Sequence, residues 1–188
     1  MIKIGITGSI ASGKTTASKI ISNRKGPLFS ADLEVKKLYK KNSFKRLLKK
    51  KLNLKLNSNL KDELKEKILT NKRNFKKLEK IIHPLVRKKM RRFTVQNKRK
   101  KFVFYEIPLL VESKLMKFFD VIVFIKAREQ IRLKRFKSKG GENDLFKVLN
   151  KRQLPDKKKI KFCDHVVVNE KNLKLLKKRL SSIINSYV

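Results

Sequence analysis

Carboxylates are scarce in this chain. Only 15 of its 188 residues are aspartate or glutamate, against 53 lysines and arginines. Few acids are therefore available for metal or base chemistry, and each one at a strand end has to be weighed. Cysteine is scarcer still. Cys163 stands alone, which excludes an intrachain disulfide and fits a reducing, cytoplasmic setting. No apolar run approaches the roughly 20 residues of a membrane helix, so no membrane partner is expected. The opening MIKIGITG enters structure at once and lacks a signal-peptide layout. There is no internal repeat, and a monomer is expected.

The formal net charge is +38. Such a charge invites a nucleic-acid reading, because clustered cations gain from counterion release on phosphates. The lysines, however, are spread along the whole chain, and no helix-turn-helix, zinc or RNA-binding signature accompanies them. A diffuse lysine coat at exposed sites accounts for the same numbers, so no specific nucleic-acid partner is expected. In either case the field attracts anionic metabolites such as nucleotides.

Hydrophobic residues make up 40% of the chain, enough for one α/β domain with a core and a small inserted subdomain. Residues 2–7 alternate as a buried strand. Pro27 to Ser30 is a second short strand, KFVFYEIPLLVE a third ending near Pro108, DVIVFI a fourth and DHVVVN the last. Helical spacing separates them, which predicts a parallel sheet covered on both faces. From Asn42 to Gln96 the pattern is helical and lysine-rich. Asn53, Asn57, Ser58 and Asn59 mark a break there, and Pro84 marks a kink or a new first turn.

The most informative stretch is Gly8-Ser9-Ile10-Ala11-Ser12-Gly13-Lys14-Thr15. It fits G-x-x-x-x-G-K-[ST], follows a strand and opens a helix. Glycines let the backbone wrap a phosphate without Cβ clashes. Turned N–H groups and the helix N-terminus point at the anion. Lys14 can bridge the β- and γ-phosphates, and the Thr15 hydroxyl can ligate Mg²⁺. The ligand is then a nucleoside triphosphate. The loop alone does not separate a kinase from a GTPase, a helicase or a transporter ATPase.

Downstream residues narrow the choice. Asp32 closes Ser30-Ala31-Asp32 at the end of the second strand, where open parallel sheets present their ligand crevice. It can take a proton from an attacking hydroxyl or hold that hydroxyl in line. It can equally cap the following helix. Glu106 ends the third strand and either orients water on Mg²⁺ or serves as a cap or a lysine's partner. Cys163 and His165 make a poor zinc site, since structural zinc wants four ligands. Phe93, Phe102, Phe104, Phe118 and Phe119 read as core. His83, before Pro84, reads locally as a packing or helix-terminal residue.

At this point the chain resembles the dephospho-CoA kinase family. That family opens with T-G-G-I-G-S-G-K-[ST], similar to Thr7 to Thr15 here. Its D-x-D motif is matched by Ser30-Ala31-Asp32, its L-E-x-x-x-H-P by Leu78 to Pro84, and its P-L-L-x-E by Pro108 to Glu112. Its late Q-x-P, acid and asparagine are matched by Gln153 to Pro155, Asp164 and Asn169. The resemblance covers the chain from end to end. It implies a P-loop kinase-type three-layer α/β/α fold with a five-stranded parallel sheet. The core would be 1–40, 97–127 and 156–188, with a helical acceptor-binding insert at 41–96 and a lid at 128–155.

The resemblance also implies the reaction. ATP, with Mg²⁺, would phosphorylate the 3′-hydroxyl of dephospho-CoA to give CoA and ADP, the last step of coenzyme A synthesis. Lys14 and Asp32 would be catalytic. Gly8 to Thr15 with Thr16, Arg135 and Asn169 would hold ATP, and Thr15 the metal. Asp32, His83, Pro108 and Glu112 would meet the acceptor. The alternatives are a nucleoside or nucleoside-monophosphate kinase and, in another class, a nucleic-acid-binding ATPase. Three departures stand out. Ser30 replaces the first acid of D-x-D. Ser9 and Ala11 replace two loop glycines. The lid arginine has no unambiguous position, with Arg135 and Lys139 both in reach of the Gly140-Gly141 offset.

Overall fold

The computed structural model describes residues 1–54, 63, 64 and 72–188. The break expected at Asn57, Ser58 and Asn59 lies outside the described residues. Two compact units emerge, one of Met1–Ser30 with Gln96–Val188 and one of Ala31–Val95.

The first unit begins with β1 (Ile2–Gly8) and α1 (Lys14–Ser22). β2 (Leu28–Ser30), β3 (Phe102–Glu106), β4 (Val121–Lys126) and β5 (His165–Val168) complete a sheet in the order β2-β3-β1-β4-β5. Every pairing is parallel, as the apolar strands between helical segments predict. β1 lies at the centre, with β3 on one side and β4 on the other. The chain therefore changes direction across the sheet beside β1, and such a switch point opens a crevice at the strands' carboxyl ends. Register brings the chemistry to that edge: Ile6 pairs with Glu106, and Ser30 pairs with Glu106 from the other side.

One face of the sheet carries the main core. Ile4, Ile6, Phe104, Val123 and Ile125 are fully buried there against Ala17 and Ile21 of α1. Leu176, Leu180 and Ile184 of α8 (Leu173–Asn185) join them. These helical residues recur every four positions, the spacing of a buried stripe. Each such side chain contributes about 1.5–3 kcal/mol on burial. Asn172 caps α8, its Oδ1 accepting from Leu175 N at 2.9 Å. On the opposite face Gly5 is required by space, because a Cβ would crowd Leu110 and Phe119. Phe102, Phe104 and Phe119 are buried as expected. Phe118 is half-buried in an edge-to-face cluster with Tyr105 and Phe119.

The third strand ends at Glu106, two residues short of the expected Pro108. Pro108 has no N–H to continue a ladder, and its carbonyl instead accepts from Thr7 Oγ1 at 3.2 Å. Beyond β4 come α5 (Glu129–Lys137), α6 (Asn143–Arg152) and α7 (Asp156–Ile160). α7 overlaps the lysine run 157–161, which has no apolar stripe to mark so short a helix.

Among its described residues the second unit carries the helices α2 (Ala31–Tyr39), α3 (Asn42–Leu52) and α4 (Lys72–Gln96). Its own core gathers Leu38, Phe44, Leu48, Leu52, Leu64 and Leu78. Asn53 ends α3 in the left-handed conformation, φ 51°, a role asparagine takes readily. Pro84 lies inside α4 and starts no new helix.

Cys163 follows α7 with its Sγ donating to Lys159 O at 3.3 Å. Burial first, then the Asp164 charge, push its thiol up to about 12, with Lys159 partly opposing. A group so shifted is protonated at neutral pH and becomes a thiolate only as the pH nears that value. Iodoacetamide is therefore expected to alkylate the folded chain at pH 8 about a hundredfold more slowly than the urea-unfolded chain. Equal rates would contradict this placement.

Candidate active site

The loop between β1 and α1 is shaped by its small residues. Gly8 has φ 152°, and a Cβ there would run into the Ile125 carbonyl. Gly13 has φ 94°, and a Cβ would collide with the Asn169 side-chain amide. Ala11 also takes a left-handed conformation, φ 57°. Its methyl costs roughly 1–2 kcal/mol there relative to glycine, which is the physical cost of that departure from the family pattern. Ser12 N donates to Ser9 O at 3.1 Å, closing the turn.

Lys14 is almost fully buried, with its Nζ donating to Ser9 O at 2.9 Å. The ammonium is thus folded back along the loop it would neutralise. Thr15 and Thr16 are exposed in the first turn of α1. One buried loop hydroxyl, Ser12 Oγ, has no hydrogen-bond partner, and a ligand oxygen would satisfy it.

Behind Thr15 stands Glu106, which is 1% exposed. Thr15 Oγ1 donates to Glu106 Oε1 at 2.5 Å, and Ser30 Oγ donates to Glu106 Oε2 at 2.8 Å. Both Glu106 oxygens thus accept from hydroxyls of the strand-end cluster, one of them the Thr15 hydroxyl that the loop pattern marks as a metal ligand. Ser30 lacks the charge of the acid it replaces, but a carboxylate lies within hydrogen-bond reach of it. The Thr15 hydroxyl and Glu106 carboxylate form an oxygen-only donor set. That suits Mg²⁺, which keeps most of its waters and takes few protein ligands. Among the described residues no group of three or more His, Cys, Asp or Glu gathers, so a cage-type metal site has no support there.

The chain's last third backs the loop. Asn169 Nδ2 donates to Ser12 O at 2.9 Å, and Arg135 Nη1 donates to the same carbonyl at 3.3 Å. Gln153 Oε1 accepts from Ile10 N at 2.9 Å. Arg132, 6% exposed, donates to Ala127 O and Asn150 Oδ1 and reaches Ile10 O at 3.4 Å.

The family model for dephospho-CoA kinase matches residues 2–174. The chain belongs to that family. A curated dephospho-CoA kinase of Bartonella quintana is 35% identical over 188 residues, covering 97% of this chain and 96% of that one. Another, from Zymomonas mobilis, is 31% identical over 194 residues, covering 100% and 98%. Among solved structures, TT1252 from Thermus thermophilus superposes with TM-score 0.77 at 25% identity, covering 100% of this chain and 98% of that one. The fold is the P-loop kinase α/β type, and a dephospho-CoA kinase is an ATP-dependent phosphotransferase.

Within this dephospho-CoA kinase, Gly8 to Thr15, Arg135 and Asn169 come together in the first unit. Pro108 and Glu112 follow β3 in the same unit. Glu112 accepts from Lys159 Nζ at 3.2 Å and from Leu154 N at 3.1 Å. Asp32 and His83 belong to the second unit. Asp32 is exposed in the first turn of α2, two residues past Ser30. It is therefore inside the helix and does not occupy the cap position. His83 is half-buried in α4, and burial, then Arg87, hold its pKa below the usual histidine value of 6.5, so the ring is neutral at pH 7. Sequence reasoning missed Arg132, Asp156 and Lys159. Their only signal was position on short helices late in the chain.

Proposed function

We propose that this chain transfers the γ-phosphoryl group of ATP to the 3′-hydroxyl of dephospho-CoA, giving CoA and ADP. The observation that carries the reading is the phosphate loop joined to Glu106 and Ser30 at the carboxyl ends of β1, β2 and β3, inside a family match that spans most of the chain. The backbone N–H groups of Gly13 to Thr15 and the ammonium of Lys14 hold the triphosphate. Arg135 and Asn169, already on Ser12 O, flank the nucleotide. Thr15, with Glu106 behind it, would hold Mg²⁺, and the ion would supply charge neutralisation to the triphosphate. Asp32 accepts the proton of the attacking hydroxyl or aligns it. Its place just after β2, next to the Ser30–Glu106 pair along the chain, supports that role.

His83, Pro108 and Glu112 serve the acceptor. Glu112 Oε2 is buried without a hydrogen-bond partner, an oxygen an acceptor hydroxyl or amide would satisfy. Residues 41–96 form the acceptor-binding insert. In support, the second unit holds a cavity of about 540 Å³ whose lining includes Leu38, Phe44 and Leu85 alongside Lys41, Lys88 and Arg92. That mixture suits a ligand with an apolar arm and phosphate charge. Residues 128–155 act as the lid, and Arg132 and Arg135 give it a grip on the loop. The setting is cytoplasmic, where ATP and the acceptor meet.

A coupled ADP-release assay tests the reading. Purified chain with ATP, Mg²⁺ and dephospho-CoA is expected to release one ADP per CoA formed. Turnover with nucleosides or nucleoside monophosphates is expected to be at least about a hundredfold slower, because a site built around one acceptor's polar groups rejects ligands that leave them unpaired. Equal or faster turnover with a nucleoside monophosphate would replace this assignment.

A further inference from the structure

Lys159 is the least expected residue of the fold. It belongs to a run of four charged residues at the start of α7, yet it is 0% exposed. Its Nζ donates to Ser9 Oγ at 3.2 Å, pairs with Glu112 Oε1 at 3.2 Å and lies 5.9 Å from the centre of the Phe124 ring. Asp156, one helical turn earlier, accepts a hydrogen bond from the same Ser9 hydroxyl. The Ser9 carbonyl in turn accepts from Lys14 Nζ and Ser12 N. Ser9 is thus a hub. Its main chain holds the loop lysine, and its side chain is held by α7.

Stability alone is a poor reason to keep such an arrangement. A buried ion pair is about as stable as well-packed apolar residues of the same volume, whereas breaking one partner is costly. What the pair adds is fixed position. We propose that Lys159 is a positioning residue for nucleotide binding: its ammonium, anchored on Glu112, holds Ser9 and so presets the phosphate loop that carries Lys14. Glycine at position 9 would leave Lys159 with no loop partner, so the serine is what connects the loop to α7. Lys159 touches no substrate in this role and acts only through Ser9.

The inference rests on the proposed phosphate-loop function, and ATP binding without acceptor tests it separately. Calorimetric titration of ATP into S9A and into the charge-balanced K159M/E112Q chain is expected to show about tenfold weaker binding in each, the scale of one hydrogen bond to a charged group. Melting temperatures are expected to stay near wild type, since no charge is left buried and unpaired. Adding S9A to K159M/E112Q is expected to weaken ATP by clearly less than the sum of the two losses, because both changes remove the Lys159–Ser9 contact and S9A removes in addition only the Ser9–Asp156 one. Wild-type ATP affinity in S9A overturns the proposal, and so does an additive loss in the combined chain. If K159M/E112Q does not fold, S9A at unchanged melting temperature decides alone. A wild-type chain that binds ATP but does not phosphorylate dephospho-CoA would sink the functional reading and leave this one standing.

Discussion

Replacing Lys14 by alanine is expected to lower kcat by roughly a thousandfold, the scale seen when a preorganised donor is removed from developing negative charge. The reason is visible in the loop. Lys14 is 8% exposed and its Nζ lies 2.9 Å from the Ser9 carbonyl, so its charge is delivered within the backbone turn with little water to screen it. Among the described residues, the cations nearest the loop have other partners. Arg135 and Arg132 bind the carbonyls of Ser12 and Ile10, and Lys159 is paired with Glu112 beneath the loop. ATP affinity is expected to fall less than kcat, because the loop N–H groups remain. Single-turnover phosphoryl transfer with saturating ATP measures the effect. A Lys14→Ala chain within tenfold of wild type would show that the lysine is not the residue stabilising the transferring group.

Asp32→Asn is expected to slow the chemical step by about 10²–10⁴-fold, the range of general base catalysis, with ATP affinity changed less than twofold. The motif that would carry two acids carries one here. Ser30 gives its hydroxyl to Glu106, and Glu106 also accepts from Thr15, so both oxygens of that carboxylate are engaged by hydroxyls. The proposed base role therefore rests on Asp32, the remaining acid of that motif. The rival role, favourable placement in the first turn of α2, predicts a small loss of stability and normal turnover. The two outcomes separate cleanly: melting temperature reads one, and kcat at saturating substrates reads the other. Near-normal kcat in Asp32→Asn would remove the base assignment.

Glu106 and the lid arginine show how far residues alone can lead. Glu106 was legible as a strand-end acid, because the apolar run from Phe102 stops there. Its partners were not, since Thr15 and Ser30 are 91 and 76 residues away, and only strand register brings them to one edge. The lid arginine was ambiguous because the Gly140-Gly141 offset leaves both Arg135 and Lys139 in reach of its place. The arginines of that segment take different partners in the fold. Arg128 pairs with Glu170, Arg132 is buried against Asn150 and Ala127, and Arg135 reaches Ser12 O. The end of β3 shifted by two residues because hydrophobicity continues past Glu106 although the ladder does not. α7 was hidden because three successive lysines give no apolar stripe, and its buried face is itself a lysine.

The phosphate loop, the sheet's parallel character and the small-molecule kinase reading were written in contiguous residues. A loop of eight residues between a strand and a helix needs only local backbone freedom and one charge, and local spacing records both. The backing of that loop was decided only by tertiary structure. Ser9 meets Asp156 and Lys159, Ser12 meets Asn169, and Thr15 meets Glu106. Such contacts depend on strand order and helix rotation, which set distances between residues that carry no mark of each other along the chain.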